Sequence, residues 1–147
     1  MNYIDLITGN RIIDAAFLAW IIAQSMKIII EWCINKKFNF HRILGSGGMP
    51  SSHSAFVVAL TTSVFKVCGL HSPEFAISLC FSLVVMFDAA NVRRAAGEQA
   101  KILNYMMEHW KDTTPDMFGK ELKELLGHTP FQVIIGALIG IIVGTLV

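Results

Sequence analysis

The sequence predicts an all-α protein, an integral membrane helical bundle with about four transmembrane helices and amphipathic helices between the third and fourth. Three observations predict it. Hydrophobic residues make up 54% of the 147 residues and charged residues only 16%, against about 25% charged in an ordinary soluble domain; the mean hydropathy is +0.55. Four stretches approach the roughly 20 apolar residues that a spanning helix needs. The basic residues gather in two of the connecting segments. The length suits one domain, residues 1–147. A net charge of +1, with no basic arm and no interleaved aromatic-basic patch, argues against a nucleic-acid partner.

The first stretch runs from about Ile12 to Cys33, "IIDAAFLAWIIAQSMKIIIEWC". Its Asp14, Gln24, Lys27 and Glu31 require partners on one side, and pairing within the bundle is the expected role of the charged ones. The second runs from about His53 to Leu70, with Ser54, Thr61, Thr62 and Ser63 as the hydroxyl residues that pack helices together in lipid. The third follows "HSPEF", where Ser72 can cap and Pro73 fits the first helical position, and continues to about Ala90. The fourth is "PFQVIIGALIGIIVGTLV". Its Gly136, Gly140 and Gly144 form a small-residue stripe for close helix packing, within a subunit or between subunits. Between the third and fourth lies a polar segment, about Asn91 to His128. It reads as an amphipathic helix with Ile102, Leu103, Met106 and Met107 near one side, the turn "KDTTPD", and a short charged helix "GKELKELLGH".

If four helices span, the loop from Asn35 to Ser52 and the segment from Asn91 to His128 share one membrane side. Together they carry nine of the twelve Lys and Arg residues. The positive-inside rule makes that side cytoplasmic, in the plasma (inner) membrane. The N-terminal "MNYIDLITGNRIIDAAF" has no basic start and is broken by Asp5, Arg11 and Asp14, so it is expected to remain in the mature protein. Cys33, Cys68 and Cys80 form no metal-ligand spacing and are expected to be small packing residues. His41, His71 and His109 are expected to be solvated or interfacial, and Met106, Met107 and Met117 to serve packing or membrane contact.

The stretch "GGMPSSHSA", residues 47–55, crowds helix breakers, hydroxyls and an imidazole at the mouth of the second apolar run. Gly47 and Gly48 let a backbone approach a ligand closely. Ser51 or Ser52 fits the N-cap. A helix N-terminus offers free N–H groups and a partial positive charge to an anion, and His53 stands in that first turn. His128 has a similar setting, before "TPFQV", where Thr129 can cap and Pro130 fits the first position. Between them in sequence lies "DAANVRRAAGEQA", with Asp88, Arg93 and Arg94. The fork of an arginine suits a phosphate. Two histidines and two arginines make a candidate phosphate site in which one imidazole attacks phosphorus and the other protonates the leaving oxygen. No acidic cluster of a magnesium site is present, and neither metal nor cofactor is expected. Each feature also has a plainer role: a glycine turn with a serine cap, a histidine flanking a helix, and arginines anchored at lipid headgroups. Asp88, at the end of an apolar run, needs a partner, with Arg93, Arg94 and Lys37 as candidates.

"GGMPSSHSA" resembles the proline-serine-histidine motif of the type 2 phosphatidic acid phosphatase superfamily, which also includes the vanadium haloperoxidases. "LGHTPFQVIIG" resembles its later histidine motif. With "DAANVRRAAGEQA", the three stretches look like a divergent, short branch of that superfamily, over roughly residues 12–147. The resemblance implies that His128 is the nucleophile and forms a phosphohistidine. It also implies that His53 is the general acid and that Ser52 and Gly48 help hold the phosphate of a lipid phosphate or diphosphate.

The departures are specific. Gln132 stands where the superfamily has an aspartate; it accepts a hydrogen bond but brings no charge, and "TPFQ" also fits a capping box. Asp88 is the candidate to supply that charge in space. Leu122 and Lys123 occupy the neighbourhood of the arginine that precedes the histidine, and Arg93 or Arg94 can replace it from another helix. The upstream lysine–arginine–proline motif is reduced to Lys37 and Arg42, with Lys37 the candidate phosphate ligand. Four helices stand in place of six, which leaves a homodimer open as a way to enclose the site. The expected activity is a metal-independent membrane phosphatase acting on a lipid or isoprenoid phosphate. The alternatives are a non-catalytic lipid-phosphate binder (a sensor, scaffold or translocator) or a structural subunit of a membrane assembly.

Overall fold

A computed structural model describes residues 8–36, 48–109, 122 and 127–147. Among these residues the secondary structure is helical, in the order α1 (Arg11–Asn35), α2 (Ser52–Cys68), α3 (Pro73–Phe87), a π-helical turn (Asp88–Val92), α4 (Arg93–His109) and α5 (Pro130–Leu146). Local chemistry explains the starts. The Asn10 side chain caps α1 by accepting from the N–H groups of Ile12 and Ile13, and Asp14 accepts from the Thr8 hydroxyl at 2.8 Å. Ser51 caps α2 and Ser72 caps α3, the latter followed by Pro73. Thr129 and Gln132 form a complete capping box on α5, with Pro130 in its first turn. Each supplies an acceptor to N–H groups that the helix itself leaves open.

The order of packing follows from a seam of small residues. Gly136 of α5 lies against Ser51 and Ser54, Gly140 against Ala55 and Ala59, and Gly144 against Ala59 and Thr62. The contacts advance together, so α2 and α5 run parallel and start at the same end. A Cβ on Gly140 would stand 2.7 Å from the Ala55 carbonyl oxygen. The glycine stripe is therefore an internal contact between α5 and α2. Helix α1 runs the other way: Arg11, at its start, donates to the carbonyl of Val147 at the end of α5, and Lys27 lies against Gly48. Helix α3 is also antiparallel to α2, tied by the Thr61 hydroxyl to the Ser78 carbonyl at 3.0 Å and by the Phe65–Phe75 ring contact.

The core is made of Ala19, Ala23, Ala55, Ala59 and Val143. The large apolar side chains point outward: Ile77 is 69% exposed and Val84 67%, with Phe81, Leu83 and Phe87 beside them. Small residues inside and large ones outside reverse the usual burial order and suit a hydrocarbon surrounding, where close backbone approach drives helix association. Two helices, Arg11–Cys33 and the continuous rod Pro73–His109, are long and apolar enough to cross a membrane; α2 and α5 are apolar but have 17 residues each. Such helices are about 25 Å long, against a hydrocarbon core of about 30 Å.

Some expectations change. The third apolar run does not stop near Ala90 as a helix separate from the amphipathic one; it continues through the π turn into α4, so one rod carries both. Cys33, Cys68 and Cys80 are exposed on the outer surface rather than packed inside, because the seam between helices takes alanine, glycine and serine. His71 and His109 are exposed as expected. The turn "KDTTPD", most of "GKELKELLGH", His41, Arg42, Lys123 and Met117 lie outside the described residues.

Candidate functional site

Because α2 and α5 run parallel and α1 and α3 antiparallel to them, two helix starts and two helix ends meet at one end of the bundle. Residues 48–51 lead into α2. Gly48 has φ +92°, and the stem of Lys27 lies where a side chain would begin, 3.5 Å from an added Cβ. The Met49–Pro50 bond is cis, and Pro50 and Ser51 are fully buried. The Ser51 hydroxyl accepts from the Ser54 N–H at 3.3 Å and from the Ser54 hydroxyl at 2.9 Å. Its own N–H donates to the carbonyl of Gln132 at 3.1 Å. That bond fastens the start of α2 to the first turn of α5. Ser51 is thus the N-cap, and Ser52 and His53 present the first-turn N–H groups, which have no intrahelical acceptor.

The second fastening holds His128. Its N–H donates to the carbonyl of Ala89, inside the π turn, at 2.9 Å. Gly127, at φ +87°, lies so close to α4 that a Cβ would collide with the backbone of Arg93 and Arg94. The His128 side chain is 3% exposed. Its Nδ1 lies 3.3 Å from Gln132 Oε1, which also accepts from the Thr129 N–H at 3.0 Å. The Thr129 contact puts the amide oxygen, not the NH2, at that place, so Nδ1 must be the donor. Nε2 then keeps its lone pair.

Charges converge on this ring. Burial pushes the His128 imidazole below its ordinary value of 6.5. The ammonium of Lys27 lowers it further, the Gln132 hydrogen bond opposes, and His53 and Arg93 add smaller downward effects. The charges of Arg93, Lys27 and Asp88 also reach the His53 ring. Asp88 pairs with Arg93, Oδ2 to Nε at 2.6 Å. Its partner is therefore Arg93, and the group on His128 Nδ1 is Gln132.

His53, His128, Lys27, Arg93, Asp88, Gln132, Gly48, Ser51 and Ser52 are thus brought to one end of the bundle. Arg94 is exposed and contributes its backbone to the packing against Gly127. Gly47 and Lys37 lie outside the described residues. The sequence assigned Lys27 to pairing within the bundle; the structure also lays its stem against Gly48. The signal was present: a lysine in the middle of an apolar helix is costly unless it faces a partner or a ligand. Its side chain is 5% exposed, and Glu31, one turn further along α1, is the acid whose charge reaches it. Among the described residues no group of His, Cys, Asp or Glu has the arrangement of a metal site.

The arrangement presents a neutral, oriented imidazole, a second imidazole, two cations and a helix N-terminus at one end of the bundle, close enough for their charges to act on His128. Such a set can hold a phosphate and exchange a phosphoryl group with nitrogen.

No solved structure matches the chain. It is 39% identical over 148 residues to a protein of Bacillus subtilis (strain 168) named "uncharacterized membrane protein YuiD", an alignment covering 94% of this chain and 93% of that protein. The model of a family described as the divergent PAP2 family matches residues 8–143; spanning the His53 and His128 motifs and nearly the whole bundle, the match shows that the chain belongs to that family.

Proposed function

We propose that the protein is an integral membrane phosphatase that removes phosphate from a lipid or isoprenoid phosphate through His128, without a metal. The observation that carries this reading is the hydrogen bond from His128 Nδ1 to Gln132 Oε1, which leaves Nε2 as a free nucleophile beside His53, Lys27 and Arg93. In this reading the phosphate rests on Gly48, the first-turn N–H groups of Ser52 and His53, Lys27 and Arg93. Arg94, exposed on the first turn of α4, adds a further cation at the same end of the bundle. His128 Nε2 attacks phosphorus and the bond to the leaving oxygen breaks, that oxygen taking a proton from His53. Neutral His53 then takes a proton from water, whose oxygen attacks the phosphohistidine; phosphate leaves and His128 is restored. The bundle spans with four helices, its site on the cytoplasmic side, where the basic residues gather.

The test is phosphate release by purified protein from a panel of lipid phosphates and diphosphates, with His128→Ala in parallel. Release that vanishes in the variant is expected. A well-folded protein that releases phosphate from none of them removes the catalytic reading.

One observation favours a second reading, a lipid-phosphate binder without turnover. Gln132 Oε1 is closer to the Thr129 N–H, at 3.0 Å, than to His128, at 3.3 Å, as expected of a residue kept for capping. Phosphate binding that survives His128→Ala, with no release in either protein, would favour it.

A further inference from the structure

We propose that a cleft between α1, α2 and α3 receives the hydrocarbon chain of a prenyl phosphate whose phosphate lies at His53; this rests on the phosphate site proposed above. The cleft has a volume of about 310 Å³ and is lined by Phe17 and Trp20 of α1, His53 and Phe56 of α2, and Phe81 and Val85 of α3. The rings of Phe17 and Phe56 meet edge to face, 5.5 Å between centroids, within this lining. Phe17, Trp20 and Phe81 are between 40 and 53% exposed, so the cleft opens onto the outer apolar surface, and a chain leaving it continues among lipid tails.

His53 belongs to both places. Its ring lines the cleft, and it feels the charges of Arg93, Lys27 and Asp88 at the phosphate site. A ligand with an anion at one end and hydrocarbon at the other therefore has a continuous path through His53. The lining then decides which hydrocarbon. Apart from His53 and the indole N–H of Trp20, the side chains of the lining are purely hydrocarbon. A diacylglycerol phosphate carries two ester groups and two chains within a few bonds of phosphorus. Its carbonyls would meet phenyl rings where they need donors. The volume, at the low end of the roughly 300–1,000 Å³ of small-ligand sites, holds a section of one chain rather than a glycerol with two. A prenyl phosphate has its hydrocarbon bonded directly to the phosphate oxygen, and its flat double bonds lie against aromatic faces.

The experiment measures equilibrium binding to the full chain in nanodiscs, with phosphonates that cannot be hydrolysed: farnesyl phosphonate and the short butenyl phosphonate. Dioleoyl phosphatidic acid serves as competitor at equal mole fraction. Val85→Trp fills the cleft from α3. It should weaken farnesyl phosphonate at least tenfold and change butenyl phosphonate less than twofold. Phosphatidic acid should compete at least tenfold less well than farnesyl phosphonate. Unchanged farnesyl affinity in Val85→Trp, or equal competition by phosphatidic acid, overturns the proposal. If Val85→Trp does not fold, Phe81→Ala, on the outer rim, should weaken the farnesyl ligand at least threefold with the short one unchanged; no difference overturns the proposal equally. Binding is read without turnover. Chain-dependent binding with no phosphate release from farnesyl phosphate therefore keeps the cleft and removes the hydrolase. Phosphate release with the same kcat/KM for short and long chains keeps the hydrolase and removes the cleft.

Discussion

The backbone N–H of His128 donates to the carbonyl of Ala89 across 2.9 Å, and the acceptor lies in a π-helical turn. The Arg93 N–H bonds back to Asp88 rather than to Ala89. One extra residue in the turn thus shifts the ladder and leaves the Ala89 carbonyl available to a residue 39 positions away in the chain. The same turn places Arg93 beside Asp88. Deleting Ala90 restores an ordinary helix in which the Ala89 carbonyl accepts from the Arg94 N–H, so the His128 N–H loses its acceptor. The expected outcome is a folded, membrane-inserted protein whose kcat/KM falls by roughly 100-fold, the order expected when a reacting group is displaced by about 1 Å. Phosphate-release kinetics beside circular dichroism check it; unchanged kcat/KM would show that the turn does not position the site.

Lys27 is predicted to be a phosphate ligand rather than a bundle strut. Lys27→Met keeps the stem that packs on Gly48 and removes the charge. A charge-assisted hydrogen bond contributes about 1.5–3 kcal/mol, so affinity for inorganic phosphate should fall by roughly 10- to 100-fold. The His128 imidazole should at the same time titrate at higher pH, because the Lys27 charge is the second largest cause of its depression. Nitrogen NMR of the ring and a phosphate titration read the two effects. A Kd equal to that of the wild type would return Lys27 to a structural role.

That lysine also shows where sequence reading stops. The helices were legible because each start carries its chemistry in sequence: Ser72 before Pro73, and Thr129 before Pro130 with Gln132 at the third position. The glycine stripe was legible as a contact, but its partner was not. Periodicity places Gly136, Gly140 and Gly144 on one face; only the parallel course of α2 and α5 gives that face to Ser51, Ala55 and Thr62. His53 and His128 were paired by their shared position at helix starts. The approach of Lys27 to Gly48 was not legible, because it depends on the antiparallel course of α1. The π turn was read as the end of one helix and the start of another, since a shifted ladder leaves no signature in hydrophobic pattern.

The pH dependence follows from the lowered titration of His128. The folded protein holds this ring neutral at pH 7. The unfolded chain, with its histidine near 6.5, takes up the proton first as pH falls. Between 6.5 and the lower folded value the unfolded state binds more protons, so this contribution to stability is complete above 6.5 and is lost as pH falls below it. The acid limb of kcat/KM should accordingly lie below 6.5. Gln132→Asp puts a carboxylate on Nδ1 and stabilises the imidazolium. It should move the acid limb to higher pH and reduce the loss of stability between pH 7 and pH 5. Rate profiles and denaturant titrations at the two pH values measure both. An acid limb that does not move would mean that residue 132 is coupled to Thr129 alone.

The seam between α2 and α5 makes a prediction about the site through packing. At Gly140 a single added methyl group meets the Ala55 carbonyl oxygen at 2.7 Å, the Val58 Cβ at 2.8 Å and the Ala59 nitrogen at 2.9 Å. Two of the three are backbone atoms of a helix and cannot rotate away, so α5 must move outward. Overpacking of this kind costs about 1–3 kcal/mol. Ser51 donates to the carbonyl of Gln132 on the same two helices, so a displaced α5 also strains the bond that joins the starts of α2 and α5. Gly140→Ala should therefore lower the thermal midpoint in detergent and lower phosphate affinity together, with the oligomeric state unchanged. If the seam instead joined two subunits, the same variant would change the mass of the particle and leave the monomer's stability and phosphate affinity intact. Light scattering beside a thermal melt and a phosphate titration distinguishes the two outcomes.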